Sequence, residues 1–82
     1  MATIDIVRSV LGQVLQLEGR QDALIEQSPL LGSIPELDSM AVVSLISALE
    51  EQLDIMIDDD EIDAATFATL GSLNAFCEQK LA

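Results

Sequence analysis

The segment Pro35-Glu36-Leu37-Asp38-Ser39-Met40 sets a hydroxyl directly after a long loop, at the start of an amphipathic stretch. A serine in the first turn of a helix is exposed and held at a fixed point, beside free backbone N–H groups and the positive end of the helix dipole. A phosphate attached to that oxygen would be stabilised by both. Asp38 can cap the helix, and it can also hold a divalent cation during a phosphoryl-type transfer. The chemistry that suits this arrangement is a phosphate-linked modification of Ser39. The local pattern equally fits a plain Asp-Ser helix start, and both readings stand at this level.

The other candidates carry less. The run Asp58-Asp59-Asp60-Glu61, with Asp63 nearby, fails the calcium-loop template. Counted from Asp59, the sixth residue is Ala64 rather than glycine and the twelfth is Leu70 rather than glutamate. It reads as a solvated loop whose acids favour the start of a short helix, with weak, non-specific divalent binding and no specific metal site. Cys77 lies on the apolar side of a helical stretch and reads as a small core residue. Ser9, Ser28, Ser33, Ser44, Ser47 and Ser72 lack the Asp-Ser helix-start setting and read as surface or turn residues. Phe67 and Phe76 are the only aromatics and read as core anchors.

The elements that must position Ser39 are helical. The first periodic stretch runs from about Ile4 to Glu18. Val7, Val10, Leu11 and Val14 form its stripe, widened by Ile4, Leu15 and Leu17, while Asp5, Arg8, Ser9, Gly12, Gln13 and Gln16 fill the opposite face. Thr3 is its expected N-cap and Gly19 its expected stop. The second runs from about Ser39 to Leu53, with Val42, Leu45, Ile46, Leu49 and Leu53 on one stripe and Asp38 at the cap position. The third runs from about Leu70 to Leu81, with Leu73, Phe76, Cys77 and Leu81 on one side and Thr69 as cap. A short helical piece is expected near Asp60 to Ala65. The connection from Gly19 to Asp38 holds Ser28-Pro29, Gly32 and Pro35, all turn signals, and a loop of that length marks function or a missed element. Ala23, Leu24 and Ile25 suit a helical turn there, and Leu30, Leu31, Ile34 and Leu37 are expected to pin the loop to the core. Asp54 to Asp58 alternates weakly but has no partner strand. The expected architecture is an all-α bundle of three main helices and one short one, with a long first loop.

Composition bounds the function. The chain has 82 residues, 50% of them hydrophobic, which suits one folded domain over residues 1–82 rather than disorder. Without histidine it holds no Ser-His-Asp or Cys-His nucleophile, and one cysteine without histidine excludes an ordinary structural zinc site or an internal disulfide. The 15 acidic and 3 basic residues give a net charge of −12, which repels nucleic acid and anionic membrane surfaces and draws in partners with basic patches. Residues 1–17, broken by Asp5, Arg8 and Gln13, form neither a secretion signal nor a membrane span, so a cytoplasmic protein is expected, and the strong like charge favours a monomer.

Taken in order along the whole chain, several segments resemble the acyl carrier protein family. They are Leu37-Asp38-Ser39-Met40 with its helix ending Leu49-Glu50-Glu51, then Ile55-Met56-Ile57-Asp58-Asp59-Asp60-Glu61-Ile62, then Thr66-Phe67-Ala68-Thr69-Leu70-Gly71-Ser72-Leu73. Methionine replaces the leucine of the family's usual Asp-Ser-Leu. The resemblance implies the family's four-helix bundle and no catalytic activity. It implies that Ser39 receives 4′-phosphopantetheine from coenzyme A through a separate phosphopantetheinyl transferase. The arm's thiol would then carry an acyl group as a thioester between acyl-activating or acyl-transfer enzymes with basic patches. In the family the cargo can also fold back between the helices, and the apolar stripes here equally describe an ordinary packed core.

The second helix departs from its relatives. Many fatty-acid carriers have acids two and five positions after the modified serine, where this chain has Ala41 and Ser44. The outer face reads Met40, Val43, Ser44, Ser47, Glu50 and Glu51, apolar and small near Ser39 and acidic only behind. That face, with the acids Asp58, Asp59, Asp60 and Glu61, is the expected partner surface. The departure points to a dedicated pathway of lipid or polyketide-like biosynthesis rather than general fatty-acid synthesis. An aminoacyl or peptidyl carrier is a second reading, although the Gly-Gly-His-Ser type of motif is absent. An unmodified acidic helical adaptor is a third.

Overall fold

A computed structural model describes residues 2–32, 34 and 37–82, with Asp59 by its backbone. The expected turn signal at Pro35, the surface reading of Ser33, the Glu36 part of the Ser39 segment and the side chain of Asp59 lie outside the described residues. Among the described residues, three helices, α1 (Thr3–Val14), α2 (Ser39–Leu53) and α3 (Leu70–Leu81), are joined by connections that each hold one 3-10 turn, at Arg20–Ala23 and Asp59–Glu61. The only ladder-type pairing among the described residues is an isolated bridge between Pro29 and Thr69.

α2 and α3 have the bounds that the sequence predicts, because both start on a side-chain cap. The Asp38 carboxylate accepts from the Ala41 N–H at 2.8 Å. Thr69 Oγ1 accepts from the Ser72 N–H, and Ser72 Oγ accepts from the Thr69 N–H, both at 3.0 Å, a reciprocal capping box.

α1 differs at both ends. Ala2, not Thr3, stands at its N-cap and gives no side-chain bond. The helix stops at Val14, four residues before the expected end. Gln16 takes a left-handed φ of 54°, and the Leu17 N–H donates back to Gly12 O at 3.0 Å, the six-to-one closure of a Schellman turn. The reason is packing. Residues two apart on a continuing helix point about 200° apart, whereas here Leu15 and Leu17 are both buried. Gly19, at φ 97°, opens the following 3-10 turn instead of ending the helix. That turn folds Gln21 over α1, so Gly12 is buried under the Gln21 side chain rather than facing solvent.

The expected helix near Asp60 to Ala65 is a 3-10 turn at Asp59–Glu61 followed by further turns. The expected helical turn at Ala23–Ile25 lies slightly earlier, at Arg20–Ala23.

α1 packs against both α2 and α3. Val7, Leu11, Leu45, Leu49, Leu70, Leu73 and Cys77 meet in the core, joined by Leu30 and Leu37 of the first connection and by Ile57 and Phe67 of the second. Of the four residues expected to pin the first connection, Leu30 and Leu37 are buried and Ile34 is partly so, but Leu31 is 45% exposed. Backbone bonds account for that. The Leu30 and Leu31 N–H groups donate to the Ala68 and Phe67 carbonyls, and the Leu70 and Gly71 N–H groups donate to the Ser28 and Glu26 carbonyls. Neighbouring residues on such an extended stretch point to opposite sides, so Leu30 faces in and Leu31 faces out. Leu81, expected on the apolar side of α3, is also exposed at the chain's end.

Candidate functional site

Ser39 is the first residue of α2, and its side chain is exposed. Two features hold it in place. Asp38 closes the helix start through its bond to Ala41, and Leu37, directly before the cap, is buried in the core. The hydroxyl therefore projects from a fixed backbone, at a helix terminus whose first N–H groups have no partner within the helix. An ester phosphate on Ser39 Oγ would meet that positive end with solvent on its other side. The geometry suits a flexible arm tethered to a rigid base. One Asp38 oxygen is committed to the cap, so any cation that Asp38 helps to hold would share a carboxylate already accepting one hydrogen bond.

Beyond Ser39 the outer face of α2 is as the wheel predicts. Met40 is 77% exposed and Val43 62%, and Ser44, Ser47 and Glu51 are also exposed. Beneath them Leu45, Leu49 and Leu53 are buried, so the two exposed apolar residues are not part of the core. Glu50 is placed differently. It is half-buried, and its Oε2 accepts from the Ile57 N–H at 2.8 Å, tying the second connection to α2. Asp58 and Asp60 are exposed on that connection.

Glu61 lies on the same connection but is paired. The Lys80 ammonium donates to both of its carboxylate oxygens, at 2.8 and 2.7 Å. Hydrogen bonding from Lys80 holds the Glu61 carboxyl below its ordinary range. Neither tie is signalled by local sequence, although Lys80 is the sole base after Arg20 in a chain with a long acidic run. Among the described residues no three acids or thiols converge on a point that could hold a metal ion.

Cys77 is buried in the core, and burial pushes its thiol up to about 11, so it stays protonated and inert as a nucleophile. A cavity of about 90 Å³ lies between α1 and α2, lined by Ile6, Ser9, Val10, Gln13 and Gln52. It does not reach Ser39. No helix of the described residues is long and apolar enough to cross a membrane.

Known proteins share this arrangement. The family model described as "Phosphopantetheine attachment site" matches residues 4–77. The acyl carrier protein of Sulfurovum sp. (strain NBC37-1) is 40% identical over 78 residues, which cover 95% of this chain and 97% of that one. The solution NMR structure of a holo acyl carrier protein from Nitrosomonas europaea is 58% identical, covers 99% of this chain and 98% of that chain, and superposes with a TM-score of 0.92. A family match spanning residues 4–77, with two relatives aligned along nearly their whole lengths, means that the chain belongs to the acyl carrier protein family, carriers that work through a covalently attached 4′-phosphopantetheine and are not themselves enzymes.

Proposed function

We propose that Ser39 Oγ is the attachment atom for the phosphopantetheine arm, and that the arm's thiol carries acyl intermediates as thioesters in the cytoplasm, in a dedicated pathway rather than general fatty-acid synthesis. The single observation that carries the assignment is the exposed Ser39 side chain at the start of a helix capped by its neighbour Asp38. The transferase and the acyl-transfer enzymes meet the carrier through Met40, Val43, Ser44 and Ser47 in front and the acids Glu50, Glu51, Asp58, Asp59, Asp60 and Glu61 behind. The specialised role is supported by Ala41 and Ser44, uncharged where many fatty-acid carriers have acids, and by the bare Met40 and Val43 beside Ser39. A net charge of −12 favours a monomer, since two copies repel.

The test is incubation of the protein and its Ser39→Ala variant with coenzyme A and a broad-specificity transferase, read by intact mass. The expected result is one phosphopantetheine on the native chain and none on the variant. Equal gain on both would overturn the assignment of Ser39. The dedicated role is tested separately by presenting the holo form to housekeeping fatty-acid enzymes, where loading and extension at ordinary rates would refute it.

A further inference from the structure

Residues 54–69 form a strap whose course is fixed by its partners. Near its start the Ile57 N–H is held by the Glu50 carboxylate on α2. Glu61 reaches the last turn of α3, at Lys80. Thr69 caps the first turn of the same helix. Residues 62–69 therefore run back along α3, a 12-residue helix of about 18 Å. On the underside Ile57 and Phe67 are buried, and the partly buried Ile62 packs against the core.

The two ends of this run are fastened differently. By Thr69, Ser72 Oγ donates to the Thr66 carbonyl at 2.9 Å, and the Leu30 and Leu31 N–H groups hold the Ala68 and Phe67 carbonyls. At the Glu61 bend the tie to α3 is the Lys80 ion pair. The strap carries Asp54, Asp58, Asp59, Asp60, Glu61 and Asp63 and no base, so mutual repulsion pushes the bend outward. Arg8 is engaged elsewhere, with Asp5 and the Leu24 carbonyl, and Arg20 donates to the Leu17 carbonyl.

We propose that the Lys80–Glu61 pair is an electrostatic latch, and that loss of the Lys80 charge releases the bend of the strap and bares the underside of Ile62, while the two anchored ends of the strap and the packing of α1 stay closed. Anything that neutralises Lys80, or a cation from a docking partner that competes for Glu61, opens the fold at this edge. The latch does not depend on the attachment at Ser39.

The test is amide hydrogen exchange by NMR on the full chain, comparing the native protein with K80Q, E61Q and K80R at neutral pH and low salt. The amides to follow are those of Glu61 and Asp63 at the bend, bonded to the Asp58 carbonyl and to Thr66 Oγ1, with Thr66 and Ala68 of the anchored end and Val10 and Leu11 of α1 as references. An exposed or half-exposed pair of this kind is expected to change local opening about two- to fivefold. K80Q and E61Q should therefore speed exchange at the bend by that factor with the references unchanged, and K80R should match the native protein. E61Q separates the latch from the effect of removing a cation from the end of α3. Unchanged exchange at the bend in K80Q, an equal rise in the references, or K80R behaving as K80Q would overturn the proposal.

Discussion

The two ends of α2 have opposite surfaces and opposite relations to the rest of the molecule. The front, from Ser39 to Ser47, carries no charge on its exposed face, and its neighbouring Asp38 commits one carboxylate oxygen to holding the backbone still. The rear carries Glu50 and Glu51, and Glu50 reaches off the helix to hold the next segment. The front thus presents a fixed hydroxyl beside the exposed apolar Met40 and Val43, whereas the rear carries acids and is tied through Glu50 to the acidic second connection. If partners dock on this face as proposed, short-range fit would govern contacts at the front and long-range attraction those at the rear. A carrier needs both, because a partner must be drawn in and must also find one serine.

The largest expected effect comes from the layer beneath the front. Leu45→Ala leaves a hole in the core under Met40 and Val43 and should cost about 2–5 kcal/mol, read by urea unfolding. Met40→Ser on the outer side should change stability by less than about 0.5 kcal/mol. If the two cost the same, the division of the front into an inner and an outer layer is wrong. Asp38→Ala removes the cap and should cost about 1 kcal/mol in the same assay. Asp38→Asn, which keeps an acceptor, should cost less.

The contrast between front and rear sharpens in kinetics. Glu51→Gln should slow association with a basic partner by a factor that shrinks as salt rises. Met40→Ser should slow it by a factor that salt leaves alone. Stopped-flow rates at two ionic strengths separate the two, and a shared salt dependence would erase the distinction. Crowded acids should also make the melting temperature rise with sodium chloride and more steeply with magnesium. Indifference to both would show that repulsion across the acidic surface is not a cost to the fold.

The smallest effect concerns pH. The Glu61 carboxyl is lowered by Lys80, so folding binds fewer protons there than the unfolded chain does. The pair's stabilisation is present above the unfolded carboxylate range and is lost as pH falls through the lowered folded value. Melting curves from pH 7 down into the carboxylate range should fall less steeply for K80Q than for the native chain.

The features legible in the sequence are those written locally. Asp38 and Thr69 announce α2 and α3 because a cap acts within three residues of itself. Apolar spacing correctly placed Val7, Leu11, Leu45, Leu49, Leu73 and Cys77 in the core, and the Asp-Ser pair picked out the candidate attachment residue. The end of α1 was hidden because a glutamine, not a glycine, takes the left-handed turn at residue 16. Gly12 misled because what covers it, Gln21, arrives from the next turn of chain. The pairing of Glu26–Leu31 with Phe67–Gly71 and the tie from Lys80 to Glu61 join residues far apart in sequence, which no periodicity records.

The most direct test of the central claim is to isolate the protein from cells, digest it and locate the phosphopantetheine by fragment-ion mass spectrometry. The chain has seven serines, and only Ser39 follows an aspartate at a helix start. The whole modification is expected on the peptide containing Ser39, with fragment ions placing it on that residue. Phosphopantetheine on any other serine, or a functioning protein that never carries it, would rule out Ser39 as the attachment residue.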